Sequence, residues 1–258
     1  MTQPPPASVR DALPVQPAKS RILITLVVDT SSSMAEGDRI GELNRALRSW
    51  REELMGDDHL SSRGEIALVT FGKDHVVAVD PSGAFAGHAQ QPYVPVSQFK
   101  PAELEAGGVT PMVEALQYAF DLLATRRQQL RADGISLANR PLVYLITDGV
   151  PTDERGYRSD RWRDFAPVIR QHEDGKHLLF FALGVDGAER EVLAGLAPSS
   201  WQFLAGLNFA QVLSLVSSSI ESASAASARN EPADEVYRRV QEHLDLDARM
   251  TQFLQGNG

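Results

Sequence analysis

The sequence predicts an α/β fold: a mostly parallel central sheet with helices on both faces and one antiparallel edge strand. Three observations carry this. Ile22–Val28, Leu142–Ile146 and the segment His177–Leu183 are nearly unbroken apolar runs. Such runs suit strands buried on both faces, because a half-exposed strand alternates apolar and polar residues. Between them lie segments whose apolar residues recur at helical spacing. Strand and helix therefore alternate, the pattern of crossover units that cover both faces of a parallel sheet.

Taken in order, residues 1–20 hold five prolines, Pro4, Pro5, Pro6, Pro14 and Pro17, and read as a flexible lead-in. The body of the fold is expected over residues 21–222. Ile22–Val28 is its first strand and ends in Asp29. Ile40, Leu43, Leu47, Trp50 and Leu54 mark a helix. Glu65–Phe71 is a second strand, Gly72-Lys73-Asp74 a tight turn, and His75–Val79 its antiparallel partner. Asp80–Ala106, rich in Pro, Gly, Ala and Gln, reads as a long surface connection with a short strand within Tyr93–Phe99. Pro111 suits a first helical turn, and Met112, Leu116, Ala119, Phe120 and Leu123 give that helix its buried face. Leu142–Ile146 is the next strand. Ser159–His172 is helical, interrupted or offset around Pro167. His177–Leu183 is a strand, Glu189–Leu196 a short helix and Trp201–Leu204 an edge strand. Phe209, Val212, Leu213, Val216 and Ile220 mark a last helix. Residues 223–258 form a linker and an amphipathic helix, from Val236, Val240 and Leu244 at four-residue spacing with Met250, Phe253 and Leu254 beyond.

A chain of 258 residues, 43% of them hydrophobic, can bury one sizeable α/β core. Its net charge of −9 opposes general nucleic-acid binding, which needs a basic surface, and attraction to anionic membranes. The absence of cysteine excludes disulfides, thiolate metal sites and a cysteine nucleophile. No apolar run approaches the roughly 20 residues of a membrane span, and the first 20 residues lack the apolar core of a signal peptide. The expectation is a soluble, cytoplasmic protein.

Three short stretches then fit together. They are Asp29-Thr30-Ser31-Ser32-Ser33, Thr110 in Gly-Gly-Val-Thr-Pro, and Asp148 in Thr-Asp-Gly. Each stands where a loop follows a buried strand or opens a helix. Asp29, Ser31, Ser33, Thr110 and Asp148 supply two carboxylates and three hydroxyls. This all-oxygen set suits a hard divalent cation, Mg²⁺ or Mn²⁺. Taken alone, Asp-x-Ser-x-Ser also reads as a polar turn capping a helix. Its agreement with two later loops, at the carboxyl ends of parallel strands where such folds bind ligands, favours the metal reading.

With these residues in view, residues 21–222 resemble a von Willebrand factor A (vWA) domain, a Rossmann-like fold. That family's metal-ion-dependent adhesion site has the pattern Asp-x-Ser-x-Ser, a distant Thr and a later Asp. Asp29, Ser31, Ser33, Thr110 and Asp148 match every position. The resemblance implies that the hydroxyls bind the metal and that the two aspartates do so directly or through water. Ser32 stands where glycine is frequent. The words Gly-Gly-Val-Thr-Pro and Thr-Asp-Gly-Val-Pro-Thr-Asp resemble intracellular bacterial members, in particular the TerY type of tellurium resistance and stress response. That likeness implies partner systems containing a protein kinase and phosphatase, or an AAA ATPase.

Other candidates have plainer readings. Asp38 and Asp153 lie near the same end and read as solvated loop carboxylates or helix caps. The six histidines, at 59, 75, 88, 172, 177 and 243, show no metal-binding spacing. Tyr93, Tyr157 and Trp162 are either an aromatic patch or partly buried loop residues. Arg155, Arg158, Arg161 and Arg163 are either a solvated helix face or a patch that steers an acidic partner. No phosphate-cradling glycine motif and no nucleophilic serine elbow is present. The expected function is a non-enzymatic module that uses its bound cation to capture an acidic residue of a protein partner. A metal-assisted hydrolase, and a scaffold with an incidental metal site, are the alternatives.

Overall fold

The structure is a computed structural model. It describes residues 19–83, 89–203, 216–217, 219–220, 222–223, 234–239 and 242. The sheet is mixed, in the order β3-β2-β1-β5-β6-β7. Its centre is β1 (Ile22–Thr30), every residue of which is buried. β1 pairs in parallel with β2 (Gly64–Gly72) and, on its other side, with β5 (Leu142–Thr147). β6 (Leu179–Gly184) and β7 (Trp201–Phe203) extend that side in parallel. β3 (His75–Val79) returns antiparallel along residues 68–72 of β2 after the expected tight turn. The sequence predicted one antiparallel strand, and a second shares its edge. β4 (Val94–Pro95) pairs with Glu65 and Ile66, the stretch of β2 that β3 is too short to reach. A proline is tolerated there because an edge strand need not donate on both sides.

The strict alternation of β1 sorts the core into two layers. Ile22, Ile24, Leu26 and Val28 pack with Leu43, Leu47, Trp50 and Leu54 of α1 (Arg39–Gly56) and Leu60 of α2 (Asp58–Arg63). Leu23 and Val27 pack with α3 (Met112–Ala132), α4 (Trp162–Asp174) and α5 (Arg190–Leu196). The short α2 is additional to the expected elements. Asp57 caps it, accepting from the backbone N–H of His59 at 2.7 Å and Leu60 at 3.0 Å. α4 runs through Pro167 without the expected interruption. The carbonyl that loses its donor there belongs to Arg163, which is exposed and open to water.

The connection after β3 is more than a surface loop. Tyr93, Val94, Val96, Phe99 and Leu104 are buried, and Phe99 meets Trp50 edge-on at 6.1 Å. Asn44 clamps the backbone of Leu104 both ways, donating to its carbonyl at 2.8 Å and accepting from its N–H at 2.9 Å. Val216, Ile220 and Ala223 close the α1 side. Residues 234–239 are helical, and Val236 and Tyr237 are buried against that same layer. The Tyr237 hydroxyl donates to Glu173 and accepts from the N–H of Phe180 at 3.1 Å. The tail is thus docked on the domain at Val236 and Tyr237. Residues 1–18 of the predicted lead-in, Phe209, Val212, Leu213, and the tail positions Val240, Leu244, Met250, Phe253 and Leu254 lie outside the described residues. Among the described residues, no helix is long and apolar enough to cross a membrane.

Candidate functional site

β1 and β5 are neighbours in register, Val28 opposite Ile146, so Asp29 and Thr147 end side by side. Asp29 is completely buried. Its Oδ1 accepts from the N–H of Ser31 at 2.8 Å, which turns the chain sharply off the strand, and its Oδ2 accepts from the hydroxyl of Thr147 at 2.5 Å. Thr147 Oγ1 in turn accepts from the N–H of Gly149 at 3.0 Å. Ser31 and Ser33 bring their hydroxyls within 3.1 Å of each other, and Ser33 donates to Asp148 Oδ1 at 2.8 Å. Four of the five predicted residues thus form one continuous chain of contacts.

Thr110 arrives from the third loop. Gly108 has φ +73°, and a β-carbon on it would stand 2.3 Å from the carbonyl oxygen of Gly72, so only glycine allows this loop to lie against the end of β2. The loop is tied to the first one by Gly107 N–H to Thr30 O at 2.8 Å and Ser32 N–H to Gly108 O at 3.2 Å. Ser32, where the resemblance has glycine, adds a bond from its hydroxyl to Gly108 O at 2.8 Å. Thr152 fixes the backbone of Thr110, its hydroxyl accepting from Thr110 N–H at 2.8 Å and its N–H donating to Thr110 O at 2.9 Å. A β-carbon on Gly149 would stand 3.0 Å from Asp29 Oδ2 and 3.3 Å from Thr110 Oγ1. Those two oxygens therefore converge beside a residue that has no side chain.

Burial pushes the Asp29 carboxyl up from the usual 3.8 to about 6. The bonds from Ser31 and Thr147 oppose that shift, and the charge of Asp148 adds to it. Burial also raises Asp148, against its bonds from Ser33 and Arg39. Arg39, at the start of α1, donates from Nη1 to Asp148 Oδ2 and to the carbonyl of Ser33, both at 3.1 Å. Arg39, Thr147 and Thr152 were not singled out from the sequence. Thr147 and Thr152 flank Asp148 within Thr-Asp-Gly-Val-Pro-Thr, and that closeness was the available signal.

The weaker candidates resolve into local roles. Asp153 accepts from the N–H groups of Arg155 and Tyr157, both at 2.9 Å, as a loop cap. Asp38 begins α1 and pairs with Arg45 at 3.1 Å. Of the three aromatics, Tyr157 alone is exposed. Trp162 is buried, and Tyr93 is buried against Thr25 at 2.5 Å, well down β1 from Asp29. Arg158, Arg161 and Arg163 each pair with a glutamate, Glu189, Glu114 and Glu191 respectively, so most of the basic island is neutralised on the spot. His172 and His177 pack edge-on against each other, and His172 against Phe120.

The sequence model of the von Willebrand factor type A domain matches residues 24–150, which span the loops of Asp29, Thr110 and Asp148. In fold, the chain resembles the vWF domain of the type V pili tip protein Mfa5 from Porphyromonas gingivalis. The TM-score is 0.54 at 10% identity, covering 79% of this chain and 96% of that one. It also resembles the PilB minor pilin of Streptococcus sanguinis, seen as its D319A mutant, with a TM-score of 0.52 at 14% identity over 85% of this chain and 65% of that one. The Mycobacterium tuberculosis protein Rv2850c, described as uncharacterized, is 31% identical over 150 residues, 58% of this chain. The match spans 20% of that relative's length. The family match and the fold together support a vWA domain here, with an α/β, Rossmann-like architecture.

Proposed function

We propose that the loop face at the carboxyl ends of β1 and β5 holds a divalent cation, Mg²⁺ or Mn²⁺, and uses it to capture an acidic residue of a protein partner. The observation that carries this reading is the convergence of Asp29, Ser31, Ser33, Thr110 and Asp148 from three loops. The residues fit a hard cation on two counts. Every candidate donor is oxygen. The two carboxylates are buried close enough for the charge of one to raise the other, and Asp29 Oδ2 and Thr110 Oγ1 flank the bare Gly149. Asp29 and Asp148 would offset the cation's charge, and Ser31, Ser33 and Thr110 would offer neutral oxygens. When bound, a divalent ion supplies a hard positive centre that attracts a carboxylate from outside the chain. Thr152 and Thr147 keep Thr110 and Asp29 in place.

The reading is of a binding module. Of the other carboxylates near this end, Asp38 pairs with Arg45, Asp153 accepts from loop N–H groups and Glu36 is largely exposed, so none of the three is positioned as an acid or base for hydrolysis. A stress-response setting with a kinase and phosphatase rests on the likeness of the flanking words to TerY-type proteins, and an AAA ATPase partner on the occurrence of similar words in other bacterial members. Isothermal titration of the chelator-stripped protein tests the core of the reading. Mn²⁺ binding that Asp29→Ala abolishes is expected, and equal binding by both proteins would sink it. Capture of a partner should likewise fail in EDTA and return with Mg²⁺.

A further inference from the structure

Arg39 is the positive side of a site otherwise built from acids and hydroxyls. Its Nη1 stands 3.1 Å from Asp148 Oδ2 and 3.1 Å from the carbonyl of Ser33, two of the residues assigned above to the cation. The Asp148 side chain is fully buried and that of Arg39 is a quarter exposed, so the carboxylate lies inside and the guanidinium at the rim. Glu36 is 3.7 Å from the same nitrogen but largely exposed, so water screens most of what it could offset. The reach depends on the backbone just before α1. Gly37 and Asp38, with φ of 60° and 61°, are both left-handed and turn the chain so that Arg39 faces back onto the loop.

We infer that Arg39 divides the binding strength of this site: it weakens the hold on the divalent cation and strengthens the hold on the incoming carboxylate. The inference rests on the metal reading and follows from counting charges. Asp29 and Asp148 carry two negative charges, which one divalent cation cancels. Arg39 already satisfies part of the Asp148 charge, so a cation gains less by arriving. Once the carboxylates are balanced, the guanidinium is left as surplus positive charge at the rim, where an anion from a partner would approach. At contact distances and partly buried dielectric, such a charge outweighs the loss of a single neutral hydrogen bond.

The test uses the full chain, with Mn²⁺ alone as the first probe and acetate as the second, read by titration calorimetry and by water-proton relaxation of the bound Mn²⁺. Arg39→Gln should bind Mn²⁺ about tenfold tighter and, once loaded, acetate about three- to tenfold weaker. Arg39→Lys keeps the charge and should stay near wild type on both. Opposite signs separate this role from a structural one, since a disturbed site would lose both affinities together. Both affinities falling in Arg39→Gln, or Mn²⁺ affinity unchanged there, would overturn the role of Arg39 while leaving the metal reading standing. If Arg39→Gln does not fold, Arg39→Lys decides: a change of tenfold or more in its Mn²⁺ affinity would show that geometry rather than charge is at work. Failure of wild type and both variants to bind Mn²⁺ would remove the metal reading itself.

Discussion

Asp29→Asn should make the cation-free protein more stable while removing the charge that anchors a cation. Burial holds the Asp29 carboxyl at about 6, against 3.8 when unfolded. A carboxyl raised on folding takes its proton more readily in the native state. It therefore favours folding at low pH and costs stability as pH climbs from 3.8 through about 6. The gap corresponds to about 3 kcal/mol above that window, at about 1.4 kcal/mol per unit. Asparagine keeps the shape and an Oδ1 acceptor for Ser31 N–H, but its Nδ2 in the place of Oδ2 cannot accept from the Thr147 hydroxyl, which returns about 1 kcal/mol. At pH 7.5 in EDTA the variant should thus be more stable by about 1–3 kcal/mol, and the advantage should vanish as pH falls toward 4. The assay is urea unfolding of both proteins across that range. Taking the difference cancels the shifts of His172 and Glu173, which both proteins share. In excess Mg²⁺ the order should reverse, because only the wild type gains binding free energy. A variant less stable than wild type in EDTA by a margin that does not change with pH would show that Asp29 is held as a neutral, purely structural group.

Two further outcomes follow from the same geometry. Thr110→Ala should melt within about 1 kcal/mol of wild type, because Thr110 is held through its backbone by Thr152. Its chelator-sensitive capture of a partner should nonetheless weaken, and a large loss of melting temperature with unchanged capture would reduce Thr110 to a structural residue. Truncation after Ser222 should cost about 2–4 kcal/mol by scanning calorimetry, since it uncovers the seats of Val236 and Tyr237 and removes the Tyr237 bonds to Glu173 and Phe180. Unchanged melting and hydrogen exchange would refute a docked tail.

The sheet was largely legible because burial on both faces writes itself as composition. Ile22–Val28 and Leu142–Ile146 read as interior strands, since only Thr25 and the Tyr144 hydroxyl break their apolar runs. What the sequence hid was decided by partners distant in the chain. The short strand expected within Tyr93–Phe99 is β4, but its antiparallel pairing with Glu65 and Ile66, the part of β2 that β3 does not reach, is a fact of length that local pattern does not carry. Asp80–Ala106 looked like surface from its Pro, Gly and Gln. Its buried residues follow no helical period and divide between the two layers, Tyr93 on the α3 side against Thr25 and Val94, Val96, Phe99 and Leu104 on the α1 side. Phe99 meets Trp50 there, and Leu104 is pinned by Asn44.

The site divides along the same line. Its acids and hydroxyls were readable because their kind and order are local: Asp29 must follow β1, Asp148 must follow β5, and parallel register then forces the two ends together. Its supports were not, because each acts across the fold. Arg39 sits in the first turn of a helix where arginine is unremarkable, and only the left-handed turn at Gly37 and Asp38 aims it at Asp148. Gly149 matters for what a β-carbon there would strike, two oxygens from residues far away in sequence. The consequence is that the donors are assembled by the sheet and its loops. Asp29, Ser31, Ser33 and Asp148 are already joined by hydrogen bonds within the chain. On the reading proposed above, a cation entering such a site would need to order little backbone, and its affinity would depend on how much charge Arg39 has already taken.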